Sequence, residues 1–325
     1  MSIYVVCPPR IKTGGTELLH QLVFALLDIG RDAKIAYVNP GINPTPAEFR
    51  KYCESWIAVS EIPDDKDNII VLPETLVSVA HTFPKEKKYI WWLSVDNYLR
   101  LNCIFAGTDG AARRFLSYFK HKKWRFSLRE LTKREDCLHL VQSEYARQYL
   151  LNHGISPKVL SDYISSDYLP ANISFSNRKN IVVYNPKKGL KFAKQIISHF
   201  PQFSYVPLVD MSTEEIIQLL DTAKVYIDFG PHPGKDRFPR EAAMRGCCVI
   251  TGRKGSAANA IDVPIPWQYK FYDSRNEIPR IGELIYSIFF DFDAHAREFD
   301  HYRDIISTEK DEFYKSVNDI FTDSI

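Results

Sequence analysis

Short apolar segments alternate with amphipathic segments along most of the chain, and this alternation restricts the fold more than any single motif does. Residues 2–9 (SIYVVCPP) are predicted to form the first strand, and residues 16–30 a helix whose leucines share one face. Further strands are predicted in the first half of the chain at residues 34–38, 56–60, 68–74, 88–95 and 138–143. Strands that alternate with helices are typical of parallel sheets, so the sequence predicts an α/β protein.

A polar stretch without apolar periodicity, residues 165–179, interrupts this alternation. The alternation then restarts, with strands predicted at residues 180–186, 204–209 and 224–230. Because a chain of 325 residues is too long for one ordinary core, we predict two Rossmann-like domains. They comprise residues 1–165 and 166–300, and we expect them to face each other across a cleft.

The composition argues against several classes of protein. The chain has 42 Lys and Arg residues against 40 Asp and Glu residues, so its overall charge gives no indication of nucleic-acid binding. Its six cysteines form no Cys-x-x-Cys pair, and therefore neither a zinc site nor a disulfide framework is predicted. Because we find no signal-peptide pattern and no apolar run of about 18 residues, we expect a cytoplasmic protein.

The loop of residues 12–17 (KTGGTE) joins the first strand to the first helix. Glycines at this point allow a ligand to approach closely, and the N-terminus of a helix presents unpaired amides to an anion. Gly14, Gly15 and Thr16 are therefore candidates for phosphate binding. The loop lacks the Gly-x-Gly-x-x-Gly fingerprint and the second strand ends without an acidic residue, so a nicotinamide cofactor is disfavoured.

A second loop lies within residues 229–252, between two predicted strands. It carries six ionisable residues: His232, Lys235, Asp236, Arg237, Arg240 and Glu241. A connection needs far fewer polar residues, and open α/β sheets bind ligands at the carboxyl ends of such strands, so a charged ligand is indicated. The alternative interpretation is that Lys235 and Arg237 only solvate a surface loop and that Glu241 complements a helix dipole.

Four segments, in order along most of the chain, resemble the GT-B glycosyltransferases. Residues 14–38 are similar to their Gly-Gly-x-Glu turn and first helix, and residues 141–155 to the closing strand and helix of their first domain. YNPKKG (184–189) resembles the turn that opens their donor domain, and RFPREAAMRGCCVITG (237–252) their nucleotide-binding segment. The nearest family is retaining and carries a Glu-x7-Glu signature. Glu241 matches its second glutamate, whereas Pro233 stands at the position of the first.

This resemblance implies a metal-independent glycosyltransferase that uses a nucleoside-diphosphate sugar and no further cofactor. It assigns Lys188, Lys235 and Arg237 to the diphosphate and Glu241 to the ribose hydroxyls. His232 is a further donor-site candidate with three open roles: it contacts the diphosphate, contacts the sugar or only fixes the loop. Lys188 and Arg237 then act in catalysis, because they neutralise the charge of the leaving group. Retention is favoured over inversion.

The resemblance also implies that the N-terminal domain binds the acceptor and that the C-terminal helix, residues 301–325, packs back onto it. Asp96 and Asn97 follow a predicted strand and are the main acceptor candidates; Glu74 is a third. Asp96 is interpreted as a general base in an inverting transfer, or as a residue that orients the sugar in a retaining one. The alternative is that Asp96 caps the short helix that begins near Asn97.

The pair Trp91-Trp92 lies in the strand predicted at residues 88–95. Successive side chains of a strand point to opposite faces. We therefore expect one of the two rings in the core and the other against a sugar.

A basic and aromatic segment, residues 113–134, contains nine Lys and Arg residues and a single acidic residue, Glu130. We interpret it as the contact with an anionic membrane surface that an enzyme acting on lipid-linked saccharides needs. A solvated surface helix is the alternative, and nucleic acid is not expected as a partner.

The resemblance implies a transferase that adds a sugar to a saccharide or lipid-linked saccharide hydroxyl in surface polysaccharide synthesis, in the cytoplasm or on the inner face of the membrane. Two other classes stay open. One is a nucleotide-sugar epimerase of the same architecture. The other is a catalytically inactive subunit that binds nucleotide sugars.

Overall fold

A computed structural model describes residues 1–101, 134 and 136–322 of the chain. All of the basic segment except Arg134 lies outside the described residues, and so does the prediction of membrane contact that rests on it. The chain divides into two compact units. Unit 1 comprises Met1–Asp162 with Asp311–Ile325, and unit 2 comprises Tyr163–Lys310.

Unit 1 contains a seven-stranded parallel sheet of order β3-β2-β1-β4-β5-β6-β7. Its strands are β1 Ile3–Cys7, β2 Ala33–Tyr37, β3 Trp56–Ala58, β4 Ile69–Pro73, β5 Lys87–Trp92, β6 Cys137–Val141 and β7 Lys158–Val159. Its described α-helices are α1 Gly14–Asp28, α2 Val95–Leu101 and α3 Glu144–Leu151. Short 3-10 helices cover Ala47–Phe49, Val59–Glu61 and Glu74–Thr82.

Unit 2 contains a five-stranded parallel sheet of order β12-β11-β10-β8-β9. Its strands are β8 Lys179–Tyr184, β9 Ser204–Pro207, β10 Ala223–Asp228, β11 Cys248–Gly252 and β12 Lys270–Phe271. Its α-helices are α4 Leu190–His199, α5 Thr213–Thr222, α6 Arg237–Met244, α7 Ile278–Phe290, α8 Phe292–Arg297 and the first part of α9 Asp300–Thr322. Its 3-10 helices cover Ser166–Tyr168, Gly255–Ala258, Trp267–Tyr269 and Arg275–Glu277.

The central strands explain why the sequence reads as alternating apolar segments. Every residue of β1, β4 and β11 is buried, as expected for parallel strands that are covered on both faces. The predicted α/β class with two parallel sheets is therefore confirmed. Among the described residues, no helix is both long and apolar enough to cross a membrane.

The same burial on both faces overturns the prediction for the tryptophan pair. Trp91 and Trp92 are both fully buried, so neither ring is available to a sugar. The Trp91 indole donates to the Leu160 carbonyl at 2.9 Å, and the Trp92 indole donates to Nδ1 of His139 at 3.0 Å. Alternation places the two rings on opposite faces of β5, and each face is covered.

Candidate functional site

The carboxyl ends of β8, β10, β11 and β12 lie at one edge of the sheet in unit 2, which we call the carboxyl edge. Because β10 pairs with β8 on one side and β11 on the other, the loops after these three strands are neighbours. These loops contain YNPKKG (184–189), which we call the Lys-Gly turn, and residues 229–241, which we call the ionisable loop. In an open parallel sheet, this is the edge at which ligands bind.

The Lys-Gly turn packs directly against the start of the ionisable loop. Gly189 has φ of 63° and is the N-cap of α4. A Cβ atom at Gly189 would lie 2.5 Å from the carbonyl carbon of Phe229, and one at Gly230 would lie 2.8 Å from the Cβ of Lys188. The two loops thus require glycines to approach this closely, and the approach sets the position of Lys188.

Lys188 is bonded to the acidic residue that begins helix α6. Its Nζ lies 2.5 Å from Oδ1 of Asp236, although 48 positions separate the two residues. The side chain of Lys188 keeps 30% of its surface exposed, against 13% for Asp236. The ammonium is therefore held in place but remains accessible to an incoming anion.

His232 lies beneath this ion pair and is completely buried. Its Nδ1 lies 2.8 Å from Oδ2 of Asp236, and its Nε2 lies 3.6 Å from Oδ1 of Asp228. Asp228 is fixed in turn, because its Oδ1 accepts the Gly230 amide at 2.9 Å and its Oδ2 accepts the Tyr226 hydroxyl at 3.2 Å. Two carboxylates thus flank one imidazole in the interior.

The charges of this cluster shift its pKa values in opposite directions. Burial, the largest single effect, lowers the pKa of His232, but Asp228 and Asp236 outweigh it and the net pKa is raised. Burial alone would raise the pKa of Asp236, whereas the hydrogen bond to His232 and the charge of Lys188 lower it to about 2. The cluster therefore favours a cationic imidazole beside an ionised carboxylate.

The backbone of the ionisable loop is clamped by the segment after β11. The carbonyl of His232 accepts the Ser256 amide at 2.9 Å, and the Ser256 hydroxyl donates to the Gly234 carbonyl at 2.6 Å. A Cβ atom at Gly255, where φ is 52°, would lie only 2.0 Å from the His232 oxygen. His232 itself has a positive φ of 44°, a strained conformation that these contacts hold.

Lys235 and Arg240 share one carboxylate from helix α9. Lys235 Nζ lies 2.8 Å from Oε1 of Glu309, and the buried guanidinium of Arg240 donates to Oε2 at 2.7 Å. Arg240 also donates to the backbone carbonyls of Lys235 and Asp236. Its role is therefore to hold the loop onto α9, and the charge of Lys235 is balanced by Glu309.

Arg237 and Glu241 lie one turn apart in α6. Arg237 is the first residue of the helix and is partly exposed, while Glu241 is buried, with 6% of its surface exposed. Pro233, at the position of the first family glutamate, is partly exposed in the loop.

In unit 1, the predicted phosphate loop forms the N-terminus of α1. Gly14 is exposed and Gly15 is half-buried. The hydroxyl of Thr16 is engaged in the turn itself, because it donates to the Ile11 carbonyl at 2.8 Å and accepts the Thr13 amide at 3.0 Å. Thr16 thus stabilises the helix start through its side chain, and the backbone amides of the first turn are the groups that can face an anion.

The three acceptor candidates lie at the carboxyl ends of β4 and β5. Glu74 is buried; its Oε2 accepts the Leu93 amide at 2.9 Å, and burial raises its pKa to about 7 against the opposing effect of backbone hydrogen bonds. Asp96 and Asn97 are partly exposed, and Oδ1 of Asp96 accepts the Tyr145 hydroxyl at 2.9 Å.

The structure contradicts the alternative that Asp96 caps helix α2. The hydroxyl of Ser94 accepts the Asn97 amide at 3.2 Å, so Ser94 makes the capping hydrogen bond at the start of α2. The Asp96 carboxylate instead faces Tyr145 of α3. No local sequence signal identifies that partner, 49 positions away.

A cation could also be held at the buried cluster. Ligand atoms of Asp228, His232 and Asp236 lie within 4.8 Å of one another, the one such group of three found among the described residues. The Lys188 ammonium already bonds Asp236 there, so a metal ion would compete with it for the same carboxylate.

The chain matches known proteins in structure but not in sequence. No protein-family model matches the chain, and no curated protein matches it in sequence. Solved structures do match. HepE of Anabaena in complex with UDP-glucose superimposes with a TM-score of 0.64 at 12% identity, over 99% of this chain and all of that one.

Two further structures show the same likeness. Sucrose-phosphate synthase of Thermosynechococcus elongatus has a TM-score of 0.67 at 12% identity, over 99% of this chain and 98% of its own. A glycosyltransferase of Rickettsia africae has a TM-score of 0.59 at 15% identity, over 97% and 98%. At such low identity these likenesses establish the fold alone. Together with the two parallel α/β units, they show that the chain has the GT-B fold.

Proposed function

We propose that this chain is a glycosyltransferase that moves a sugar from a nucleoside-diphosphate sugar to the hydroxyl of a saccharide or lipid-linked saccharide, in surface polysaccharide synthesis. The observation that carries the proposal is the bonded set Lys188, Asp236 and His232 at the carboxyl edge of unit 2. The fold supports it, because the similar structure of HepE was solved with UDP-glucose bound.

The charge of the leaving group explains the basic residues. Breaking the bond between sugar and diphosphate leaves a strongly anionic nucleotide, which positive groups fixed in advance stabilise. Lys188 exchanges its bond to Asp236 for a phosphate oxygen, and Arg237 at the start of α6 adds a second cation. The buried imidazolium of His232 stays paired with Asp228 and Asp236, so it compensates the carboxylate that Lys188 leaves.

Each unit contributes a further candidate binding group, Glu241 in unit 2 and the N-terminus of α1 in unit 1. A carboxylate accepts hydrogen bonds from both hydroxyls of a ribose, and we assign this role to Glu241. In unit 1, the amides of Gly14 and Gly15 are assigned to an anionic group. Lys235 reaches a phosphate only when it leaves Glu309, so we assign it a secondary role.

The acceptor is oriented by Asp96, which is partly exposed at the carboxyl end of β5. Its bond from Tyr145 fixes the carboxylate. Glu74 shapes the same turn through the Leu93 amide. We further propose that transfer is metal-independent, since Lys188 already supplies the positive charge that a metal ion would bring. Retention is proposed from the resemblance to the retaining family alone.

A thermal-shift screen of UDP, GDP, ADP and dTDP tests the proposal. The matching nucleotide is expected to stabilise the protein by about 2.7 kcal/mol at a concentration 100 times its Kd. The corresponding monophosphate is the control and should stabilise less, because it lacks the second phosphate. A protein that no nucleoside diphosphate stabilises contradicts the proposal.

The reaction is tested next with the sugar nucleotide of the selected base. We expect release of nucleoside diphosphate that depends on an added saccharide acceptor. Epimerisation of the donor without any acceptor, observed by NMR, would identify an epimerase instead.

The basic segment is assigned to an anionic membrane surface on its sequence alone. In a liposome flotation assay, we expect the protein to float with vesicles that contain anionic lipid and to remain at the bottom with neutral ones. Equal behaviour with both kinds of vesicle contradicts this assignment.

A further inference from the structure

A second cationic cluster lies at the β12 end of the carboxyl edge, away from Lys188. It consists of Arg253, directly after β11, and of Trp267 and Tyr272 on either side of β12. β12 pairs with the last two residues of β11, which brings the three side chains together. Trp267 and Tyr272 are 52% and 58% exposed, so two large aromatic rings face solvent at one place.

Arg253 is held between these rings in a fixed orientation. Its Cζ lies 5.3 Å from the centroid of Trp267 and 4.8 Å from that of Tyr272, both within the range of a cation–π contact. Its Nε donates to the Lys270 carbonyl at 2.9 Å, and its backbone amide donates to the Phe271 carbonyl at the same distance. The guanidinium is therefore oriented by one hydrogen bond and two rings.

The terminal nitrogens of Arg253 are the groups left for a ligand. Within the part of the chain that the structure describes, they make no hydrogen bond or ion pair. The other cationic groups nearby are engaged: Lys254 pairs with Asp273, and the buried Lys270 ammonium donates to the carbonyls of Ala257 and Asn259. Arg253 thus presents an oriented guanidinium fork that has no ion-pair partner among the described residues.

We infer that Arg253, Trp267 and Tyr272 bind an anionic saccharide. This inference rests on the proposed function, because saccharides are substrates of that reaction. A carboxylate or phosphate of the sugar accepts two parallel hydrogen bonds from the guanidinium. The apolar C–H face of the sugar ring covers the exposed parts of the two aromatic rings. An inorganic anion would bind to the guanidinium alone and would make no apolar contact with the aromatic rings.

Saturation-transfer NMR on the full chain tests this inference with three probes. Glucuronate carries a carboxylate, glucose 6-phosphate carries a phosphate, and glucose is the neutral control. We expect the wild-type protein to bind at least one acidic sugar and to bind glucose at least about tenfold more weakly. Comparison of the two acidic probes identifies which anion the site takes.

Variants assign the binding to the cluster. Arg253→Ala is expected to weaken acidic-sugar binding about tenfold or more, Arg253→Lys to weaken it less, and Trp267→Ala to weaken all three sugars. The matched control is Arg280→Ala, since Arg280 also lies over an aromatic ring of unit 2, Phe271, but is paired with Glu277. Circular dichroism melting of each variant shows that it is folded.

The inference is overturned if Arg253→Ala binds the acidic sugars as tightly as wild type does. It is overturned equally if the affinity of Arg280→Ala falls as much as that of Arg253→Ala, or if Trp267→Ala leaves the affinity for every sugar unchanged. It is also overturned if UDP displaces the acidic sugar, because the cluster then belongs to the nucleotide. UDP binding measured separately by calorimetry distinguishes the two hypotheses. A protein that binds UDP but no acidic sugar contradicts this inference and agrees with the proposed function. A protein that binds an acidic sugar but not UDP contradicts the proposed function and agrees with sugar binding at the cluster.

Discussion

The ammonium of Lys188 and the carboxylate of Asp236 form a 2.5 Å ion pair between the end of one strand and the start of a helix 48 positions later. The same carboxylate lies 2.8 Å from the buried imidazole of His232. One acidic residue thus orients two cationic groups at the carboxyl edge of unit 2. Because Lys188 remains 30% exposed, it is the member of the set that can exchange this partner for a phosphate.

Removal of the Lys188 charge should weaken nucleotide binding. We expect Lys188→Ala to raise the Kd for UDP, or for the diphosphate that the screen selects, by about 10- to 150-fold, as for loss of a charged hydrogen bond. Isothermal titration calorimetry measures this. Lys187→Ala is the matched control, because Lys187 is the adjacent lysine and is exposed. If both variants lose the same affinity for the nucleotide, the effect comes from the overall positive charge of the turn and not from the position of Lys188.

The proposed role of Glu241 is tested by removing either its carboxylate or the ribose hydroxyls of the nucleotide. Glu241→Ala should raise the Kd for UDP about tenfold or more, and 2′,3′-dideoxy-UDP should bind wild type correspondingly weakly. The two changes should not add, since both remove the same pair of hydrogen bonds. Additive losses measured by calorimetry would place Glu241 away from the ribose.

His232 should make stability depend on pH. Because its pKa is raised above 6.5 in the folded protein, its ion pairs stabilise fully below about pH 6.5, and this contribution is lost as the pH rises through the folded pKa. Asp236 contributes in the opposite sense: its stabilisation is present above pH 3.8 and is lost as the pH falls towards about 2.

The groups that face the imidazole are Asp228, Asp236 and Lys188. We therefore expect the difference in Tm between wild type and His232→Gln to shrink as the pH rises from about 6 to about 9. His301→Gln, a change at an exposed histidine, is the control and should leave the profile unchanged. A Tm difference for His232→Gln that is constant over this range contradicts the charged state of the imidazole.

Gly189 should be intolerant of any side chain. Gly189→Ala places a Cβ 2.5 Å from the Phe229 carbonyl carbon, in addition to the strain of a positive φ. Gly154 has a φ of 76° with no atom near its Cβ position, so Gly154→Ala measures the strain alone, about 1 kcal/mol. Urea unfolding should show a clearly larger loss for Gly189→Ala. Nucleotide affinity should fall in this variant only, because the shifted turn carries Lys188.

Asp96 should affect turnover rather than nucleotide binding. Because Asp96 is proposed to orient the acceptor sugar, we expect Asp96→Asn to lower kcat of the acceptor-dependent reaction by about 10²-fold, with the Kd for the nucleoside diphosphate unchanged. Tyr145→Phe removes the hydrogen bond to Asp96 and should have a smaller effect of the same kind. A weakened nucleotide affinity without loss of kcat would remove Asp96 from the acceptor site.

Much of the fold follows from local patterns. The strands of the two sheets other than β7 and β12, and the end of α1 before Gly30, with its φ of 78°, could be read from apolar periodicity and glycine positions. The start of α4 at Leu190 could not be predicted, because it depends on the left-handed conformation of Gly189, which packs against Phe229.

The site could be predicted only in part. The residue types of the ionisable loop pointed to an anion, and its place after a strand pointed to the carboxyl edge. The partners were not predictable: Glu309 balances Lys235, and the Asp236 carboxylate joins Lys188 to His232. The Arg253 cluster gave no motif at all, since its residues are ordinary in sequence and gain meaning only from the pairing of β11 with β12.

The sequence by itself determined which segments are buried strands, which are helices and where charge is concentrated, because these depend on neighbours within a few positions. Only the tertiary structure decided which charges meet, that both Trp91 and Trp92 are covered, and which cations stay available to a ligand. The physical reason is that an ion pair requires atoms within about 4 Å. In a parallel sheet that proximity is set by strand order, which brings together residues far apart in the chain.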